Sequence, residues 1–269
     1  MRRIYGGLDG DFWAARPLVG MIHLQALPGS ALGGAPIATI LQRAVDDARA
    51  LDAGGADAVM VENFFDVPFP KVASAAHTIA AMTLAVDVVR RAVSLPVGVN
   101  VLRNDSSAAM GIAHLCGAQF IRVNVYVGAA ITDQGLIEGA ARETVQYRRE
   151  LGADVAIWAD VFVKHAAQLG QATIEDAARD AVERGLADAL IVTGAATGAA
   201  ANPELLERAI GAVPGSPVLV GSGFSAGTAS LFAKAAGAVV GTSLKHGGLV
   251  ENPVDASRVR LLRDAMRGG

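Results

Sequence analysis

Val218-Leu219-Val220-Gly221-Ser222-Gly223 and, about twenty residues later, Val239-Val240-Gly241-Thr242-Ser243-Leu244-Lys245 are the two runs that decide the fold. Each is an apolar, β-branched stretch of the buried-strand kind that stops at glycine with hydroxyl residues behind it, and each predicts a helix to follow. Glycine lets the backbone approach an anion closely, and Ser or Thr adds hydroxyl donors. Gly221, Ser222, Gly223, Gly241, Thr242 and Ser243 therefore read as a phosphate grip. Ordinary strand-to-helix turns use the same residue types. The case for the grip is the order of the two runs, because the last two loops of a (β/α)₈ barrel commonly present backbone N–H groups to a phosphate.

Towards the N-terminus, short β-branched runs alternate with helical patterns, which argues for repeated βα units around a parallel sheet. The strands read as 18–23, 58–62, 97–101, 120–124, 155–160, 189–193, 218–221 and 239–241. Between the first two, Ile37, Ile40, Leu41, Ala44, Val45, Ala48 and Leu51 fall on one helical face that Gly54-Gly55 closes. Ile79, Met82, Thr83, Val86, Val89 and Val93 repeat the pattern ahead of Pro96. Eight strands without a break, in a chain of 269 residues, predict one α/β domain over 1–269, a (β/α)₈ TIM barrel. No Gly-x-Gly-x-x-Gly opens the first unit, which weakens the open, dinucleotide-binding alternative.

The chain is 52% hydrophobic and 18% charged with 31 glycines, a composition that excludes disorder and suits a barrel buried under helices. A net charge of −3 with 23 scattered Lys and Arg leaves no footprint for nucleic acid. Asp9 and Asp11 interrupt the N-terminal stretch, so it does not read as a secretory signal, and no apolar run is long enough for a transmembrane segment. The single Cys116 cannot form an internal disulfide, which suits a reducing, cytoplasmic setting, and it lies in an apolar helical stretch as a structural thiol. The outer helix faces are ordinarily amphipathic, compatible with a homo-oligomer without dictating one.

Polar residues at the C-terminal ends of barrel strands face the site, whereas mid-strand positions fill the core. Those ends carry His23, then Glu62 and Asn63, then Asn100 with Arg103 and Asn104, then Arg122 and Asn124, then Asp160 with Lys164 and His165, then Thr193. A loop cap or an ion pair could satisfy any one of them; six consecutive strand ends of this kind predict a polar cavity. Glu62, Asp160, His23 and Lys164 are the catalytic candidates. The two carboxylates could divide acid and base work, form a structural salt bridge or hold a hard divalent cation. His23, ahead of the turn-rich loop 24–30, could move protons near neutrality or hydrogen-bond that loop. Lys164 could meet an anion, form a Schiff base or be solvated. Asn63, Asn100, Arg103, Arg122, Asn124, His165 and Thr193 are the substrate-binding candidates. Loop 192–198 could close over a ligand or simply turn the chain, and Lys245 adds positive charge to the grip or neutralises a helix end. Neither His-x-His nor His-Glu-x-x-His occurs, so no zinc site and no certain cofactor is read.

With these residues assembled, the chain resembles the BtpA/SgcQ family. The resemblance rests on Gly20-Met21-Ile22-His23-Leu24 leading to Leu27-Pro28-Gly29-Ser30, on Val61-Glu62-Asn63-Phe64, on Gly98-Val99-Asn100-Val101-Leu102-Arg103-Asn104 and on Ile121-Arg122-Val123-Asn124-Val125-Tyr126. It continues through Thr132-Asp133-Gln134-Gly135, Ala159-Asp160-Val161 with Lys164-His165, Val192-Thr193-Gly194 and the two grip runs, and so covers nearly the whole chain. In two places the chain departs from the family pattern: Ala31 stands where proline would follow Ser30, and Ala236-Gly237-Ala238 lacks the aspartate expected before the final strand. The resemblance implies a barrel akin to the ribulose-phosphate-binding barrels. For function it implies either a nucleosidase-like enzyme of sugar or nucleoside metabolism or a factor for photosystem I assembly or stability. Residues and resemblance together predict an enzyme acting on a small phosphorylated ligand, a sugar or nucleoside, by glycosidic cleavage (a hydrolase) or by phosphosugar isomerisation or lysis. The alternative is a non-catalytic factor for photosystem I, a membrane complex.

Overall fold

Strands buried on both faces need apolar residues at nearly every position, and the predicted runs have them. In the computed structural model, which describes residues 4–71, 73–162, 167–169, 173–194 and 201–268, these runs form a closed barrel of eight parallel strands. They are β1 (Leu18–His23), β2 (Ala58–Glu62), β3 (Val97–Asn100), β4 (Phe120–Val123), β5 (Ala156–Val161), β6 (Ala189–Thr193), β7 (Val218–Gly221) and β8 (Gly237–Val240). Each pairs with its neighbours in chain order, and β8 closes on β1. β8 begins earlier than the sequence suggests because Gly237 pairs with Leu219 and Ala238 with Leu18.

Alternation along the strands sorts the side chains into two cores. Val19, Met21, Ala58, Met60, Phe120, Ala156, Trp158, Ala189, Ile191, Leu219 and Val239 fill the barrel interior. Phe120 stacks on Trp158 at 3.8 Å and 13°, and Gly98 makes that possible, since a Cβ there would run into the Phe120 ring. The other strand face packs on the helix ring, where Ile37–Ala53 buries Ile40, Ala44, Ala48 and Leu51 and Ala76–Ala92 buries Met82, Ala85, Val86 and Val89. At the N-terminal end of the barrel the short helix Gly10–Ala14, capped by Asp9, lays Trp13 against Trp158 with ring centres 5.5 Å apart.

The N-terminal rim carries a repeated cap. The residue before β2, Asp57, donates its N–H to Leu18 O and accepts from Leu18 N; Gln119 does the same for Val97, and Asp188 for Ile157. Ala236, before β8, donates its N–H to Val218 O at 2.9 Å, the same backbone bond without a side-chain acceptor. The missing aspartate noted in the sequence is thus the absent fourth member of this set.

Two features differ from the sequence reading. No α-helix links β7 to β8: loop 222–228 is a Gly/Ser/Thr turn in which Ser225 N donates to Thr228 Oγ1 (3.0 Å), and the chain left before Gly237 makes only the 3₁₀ turn Ala229–Phe232. After β8, the 3₁₀ turns Thr242–Leu244 and His246–Gly248 precede the helix Ala256–Arg267. A three-stranded antiparallel sheet, Gly135–Glu138, Ala129–Thr132 and Ala167–Leu169, also grows from the loops after β4 and β5. Thr132-Asp133-Gln134-Gly135 is its hairpin turn, with Gly135 at a φ of 92°. Among the described residues no helix is long and apolar enough to cross a membrane.

Candidate functional site

Because strand side chains alternate, two steps beyond each interior residue comes one that faces the same cavity one layer higher. Met21 leads to His23, Met60 to Glu62, Gly98 to Asn100, Phe120 to Arg122, Trp158 to Asp160 and Ile191 to Thr193. Leu219 and Val239 lead instead to Gly221 and Gly241, so the polar layer opens above β7 and β8. A cavity of about 350 Å³ occupies the opening, lined by His23, Glu62, Phe64, Arg122, Gly221 to Ser225, Val239 to Ser243, Gly248 and Arg258. A larger groove of about 1310 Å³ lies on the outside, between the helix Ala141–Glu150 and the turn Asp180–Arg184, and holds none of the strand-end candidates.

Arg122 organises the layer. Its Nε and Nη2 donate to the two oxygens of Asp160, both at 2.8 Å, and Asn124 Nδ2 donates to Asp160 Oδ2 at 2.9 Å. Arg122 Nη1 lies 3.9 Å from Glu62 Oε2, and His23 Nε2 lies 3.8 Å from Glu62 Oε1. Burial pulls the Arg122 guanidinium down, but the charges of Asp160 and Glu62 outweigh it and hold the group above its ordinary value. Asn100 Nδ2 donates to Arg122 O and Asn124 Oδ1, both at 3.1 Å, fixing the β3–β4 edge of the layer. Burial lowers Arg103, against the raising pull of Asp160, Asp133 and Glu62. Thr193 Oγ1 donates to Phe162 O at 3.4 Å.

Several candidates stand elsewhere than expected. Asp160 has both oxygens engaged by Arg122 and Asn124 and is absent from the cavity wall, so Glu62 is the carboxylate that faces the cavity. Asn63 turns away: Nδ2 donates to Asp66 (3.1 Å) and Oδ1 accepts from Leu102 N (2.8 Å), while Asp66 accepts from Leu27 N (2.7 Å). It clamps the loops after β1, β2 and β3. Lys245 is buried and bonded to Asp47 Oδ2 at 3.1 Å on the helix Ile37–Ala53, so it adds no charge to the grip. Asp47 Oδ1 also accepts from Val254 N (2.7 Å) and Arg43 Nε (3.2 Å). Lys164, His165 and residues 195–198 lie outside the described residues. A divalent cation does not fit between Glu62 and Asp160, because the Arg122 guanidinium already occupies that position, and no group of three His, Cys, Asp or Glu gathers among the described residues.

The six residues that the sequence suggests as a phosphate grip line the same cavity. Ser222 and Gly223 take consecutive left-handed conformations, φ 66° and 61°, and Ser243 Oγ donates to Phe224 O at 2.8 Å, tying the loop after β8 to the loop after β7. Among the described residues, the N–H groups of Gly223, Thr242 and Ser243 find no backbone acceptor in these turns. A Cβ on Gly241 would lie 2.7 Å from His23 Cε1, so only glycine lets the imidazole sit beside the grip. His23 stacks on Phe64 at 4.3 Å and 23°.

The sequence reading missed Arg258, from the first turn of the helix Ala256–Arg267. Its Nε donates to Ser243 O at 2.8 Å and its side chain lines the cavity. Phe64 was visible only as part of a motif.

The fold recurs in thiamine phosphate pyrophosphorylase from Pyrococcus furiosus, which superposes with a TM-score of 0.59 at 14% identity over 96% of this chain and 98% of that one. Such neighbours share the closed (β/α)₈ TIM-barrel fold with this chain. In sequence the chain is 48% identical to the photosystem I biogenesis protein BtpA of Synechocystis, over 96% of this chain and 90% of the relative. It is also 48% identical to an uncharacterized protein of Thermococcus kodakarensis, over 92% of this chain and 94% of the relative. A sequence model of the BtpA family matches residues 14–268, and the chain belongs to that family.

Proposed function

We propose that this barrel is an enzyme acting on a small phosphorylated sugar or nucleoside. One observation carries the reading: a single cavity joins the Gly221–Ser222–Gly223 and Gly241–Thr242–Ser243 loops to Glu62, His23 and Arg122. The loops hold the phosphate through backbone N–H groups and the Thr242 and Ser243 hydroxyls. Glu62 is the general base, His23 relays or supplies a proton, and Arg122, held by Asp160, stabilises negative charge that develops on the ligand. Asn100 and Asn124 keep that arginine in place; Arg103 stands near it.

Among the described residues one carboxylate, Glu62, and one imidazole, His23, face the cavity, and a proton shift beside a carbonyl, the chemistry of isomerisation or lysis, suits that pair better than glycosidic hydrolysis, which in most glycosidases uses two carboxylates. The likeness to a protein named for photosystem I biogenesis supports a non-catalytic role as the second reading.

The test is thermal shift against inorganic phosphate, sugar phosphates, nucleotides and their unphosphorylated counterparts, with solvent-deuterium incorporation into any stabilising ketose or aldose phosphate. A ligand at a hundred times its Kd adds about 2.7 kcal/mol, and Glu62→Gln should retain that stabilisation while losing proton exchange. No stabilisation by any phosphorylated compound sinks the reading and favours the non-catalytic role.

A further inference from the structure

The cations near the cavity differ in how far they are neutralised. Arg122 makes a two-bond pair with Asp160 and faces Glu62 as well, and Lys245 spends its charge on Asp47. Arg258 is different. Its Nε is fixed on Ser243 O, and among the described residues no carboxylate stands within 4.0 Å of its guanidinium. Asp255, three residues before it, is engaged with His246 Nδ1 at 3.3 Å and with Ser257 N at 2.9 Å. A half-buried guanidinium on a cavity wall without a counter-ion carries field into that cavity, and an entering anion satisfies it.

We infer that Arg258 is the charge-selecting residue of the site, and that it makes the ligand a terminal phosphate monoester in its dianionic form. The inference rests on the function proposed above and adds what the loops alone do not specify. Backbone N–H groups accept any oxyanion, whereas an unneutralised, oriented guanidinium favours the greater charge and offers a planar fork to two oxygens. The anchoring is local to the grip: Arg258 holds Ser243 O, and Ser243 Oγ holds Phe224 O. The head group therefore keeps its place relative to both loops, and its two remaining nitrogens are available to the ligand. Lys245, the cation that the sequence puts next to the grip, has no part in this.

Isothermal titration calorimetry with inorganic phosphate, ribose 5-phosphate and ribose separates the possibilities. Wild-type protein should bind both phosphates. Arg258→Met should weaken them by about 10- to 100-fold, the range of a lost charged hydrogen bond, and Arg258→Lys should fall between, keeping charge without the fork. Affinity for ribose should not change. Arg258→Gln, which can still donate to Ser243 O, guards against a merely misfolded Met variant, and each variant is checked for cooperative unfolding. If wild type binds phosphate and Arg258→Gln and Arg258→Met bind it within about threefold of wild type, the role of Arg258 is overturned and the cavity reading stands. If wild type binds neither phosphate, both fall.

Discussion

Lys245→Met distinguishes the two roles open to that lysine. The ammonium is 1% exposed and its partner carboxylate 2%, so truncating it leaves Asp47 charged inside the seam between the helix Ile37–Ala53 and the segment that leads to Val254. Removing one partner of a buried pair costs about 3–5 kcal/mol. Asp47 retains Val254 N at 2.7 Å and Arg43 at 3.2 Å, which argues for the lower end, about 3 kcal/mol. A chain of 269 residues has an unfolding entropy of roughly 0.6 kcal/mol/K, so Tm should fall by about 5 °C. Desolvation lowers the Lys245 ammonium despite Asp47, so the charge itself is a cost at neutral pH. Asp47→Asn/Lys245→Met, which keeps an oxygen for Val254 N and removes both charges, should recover more than half of the loss. Differential scanning calorimetry measures both variants, and phosphate titration should give the single variant wild-type affinity once folded. A Lys245→Met protein with unchanged Tm and weakened phosphate binding would refute the clamp and return the lysine to the grip.

Burial raises the Asp66 carboxyl despite the donors Leu27 N and Asn63, so the stability tied to its protonated form is complete below about pH 4 and is lost as pH rises through the folded pKa; urea midpoints from pH 4 to 7 should decline less in Asp66→Asn than in wild type, and parallel profiles would contradict this. Burial, with Asp87, also raises the Cys116 thiol, so a disulfide reagent should modify the native protein about tenfold more slowly than the unfolded chain, equal rates counting against it. Ala236→Asn supplies the missing acceptor for Val218 N and should add about 0.5–1 kcal/mol, or 1–2 °C in Tm; asparagine is preferred because Asp57 and Asp188 each lean on an arginine, Arg263 at 2.8 Å and Arg148 at 2.6 Å. A lower Tm would show that the fourth rim position is not equivalent to the others.

The barrel was legible because the first six strands announced themselves twice, by an apolar run and by the polar residue that ends it, and the last two by an apolar run that stops at glycine. The same alternation limits what can face a cavity: Glu62 and Asn63 are consecutive, so only one can point inward, and Asn63 is the one that became a clamp. Lys245 misled because nearness in sequence to the grip is not nearness in space. The signal that would have corrected it lies 198 residues away, where Asp47 interrupts the buried stripe of Ala44, Ala48 and Leu51; a carboxylate on an apolar helix face requires a partner. Arg258 gave no such signal, since two 3₁₀ turns of irregular chain decide where the last helix begins. The three-stranded sheet was hidden for a different reason: its strands have three or four residues each, too short for alternation to stand out.

The two ends of the barrel distribute their interactions differently, and that difference decides how substitutions combine. At the N-terminal rim Asp57, Gln119 and Asp188 cap Leu18, Val97 and Ile157 with no shared partner, so their losses should add to within about 0.5 kcal/mol. At the other end Glu62 and Asp160 share Arg122. Neutralising Asp160 frees two nitrogens of the guanidinium, which then has Glu62 as its remaining counter-ion and draws that carboxylate away from His23. Asp160→Asn should therefore cost proton exchange without Asp160 touching the ligand, and adding it to Glu62→Gln should cost little more, because Glu62 is the group through which it acts. In a double-mutant cycle on exchange rate this appears as strong non-additivity. Additive losses would mean that Asp160 meets the ligand itself, and the assignment of a single working carboxylate would have to be given up.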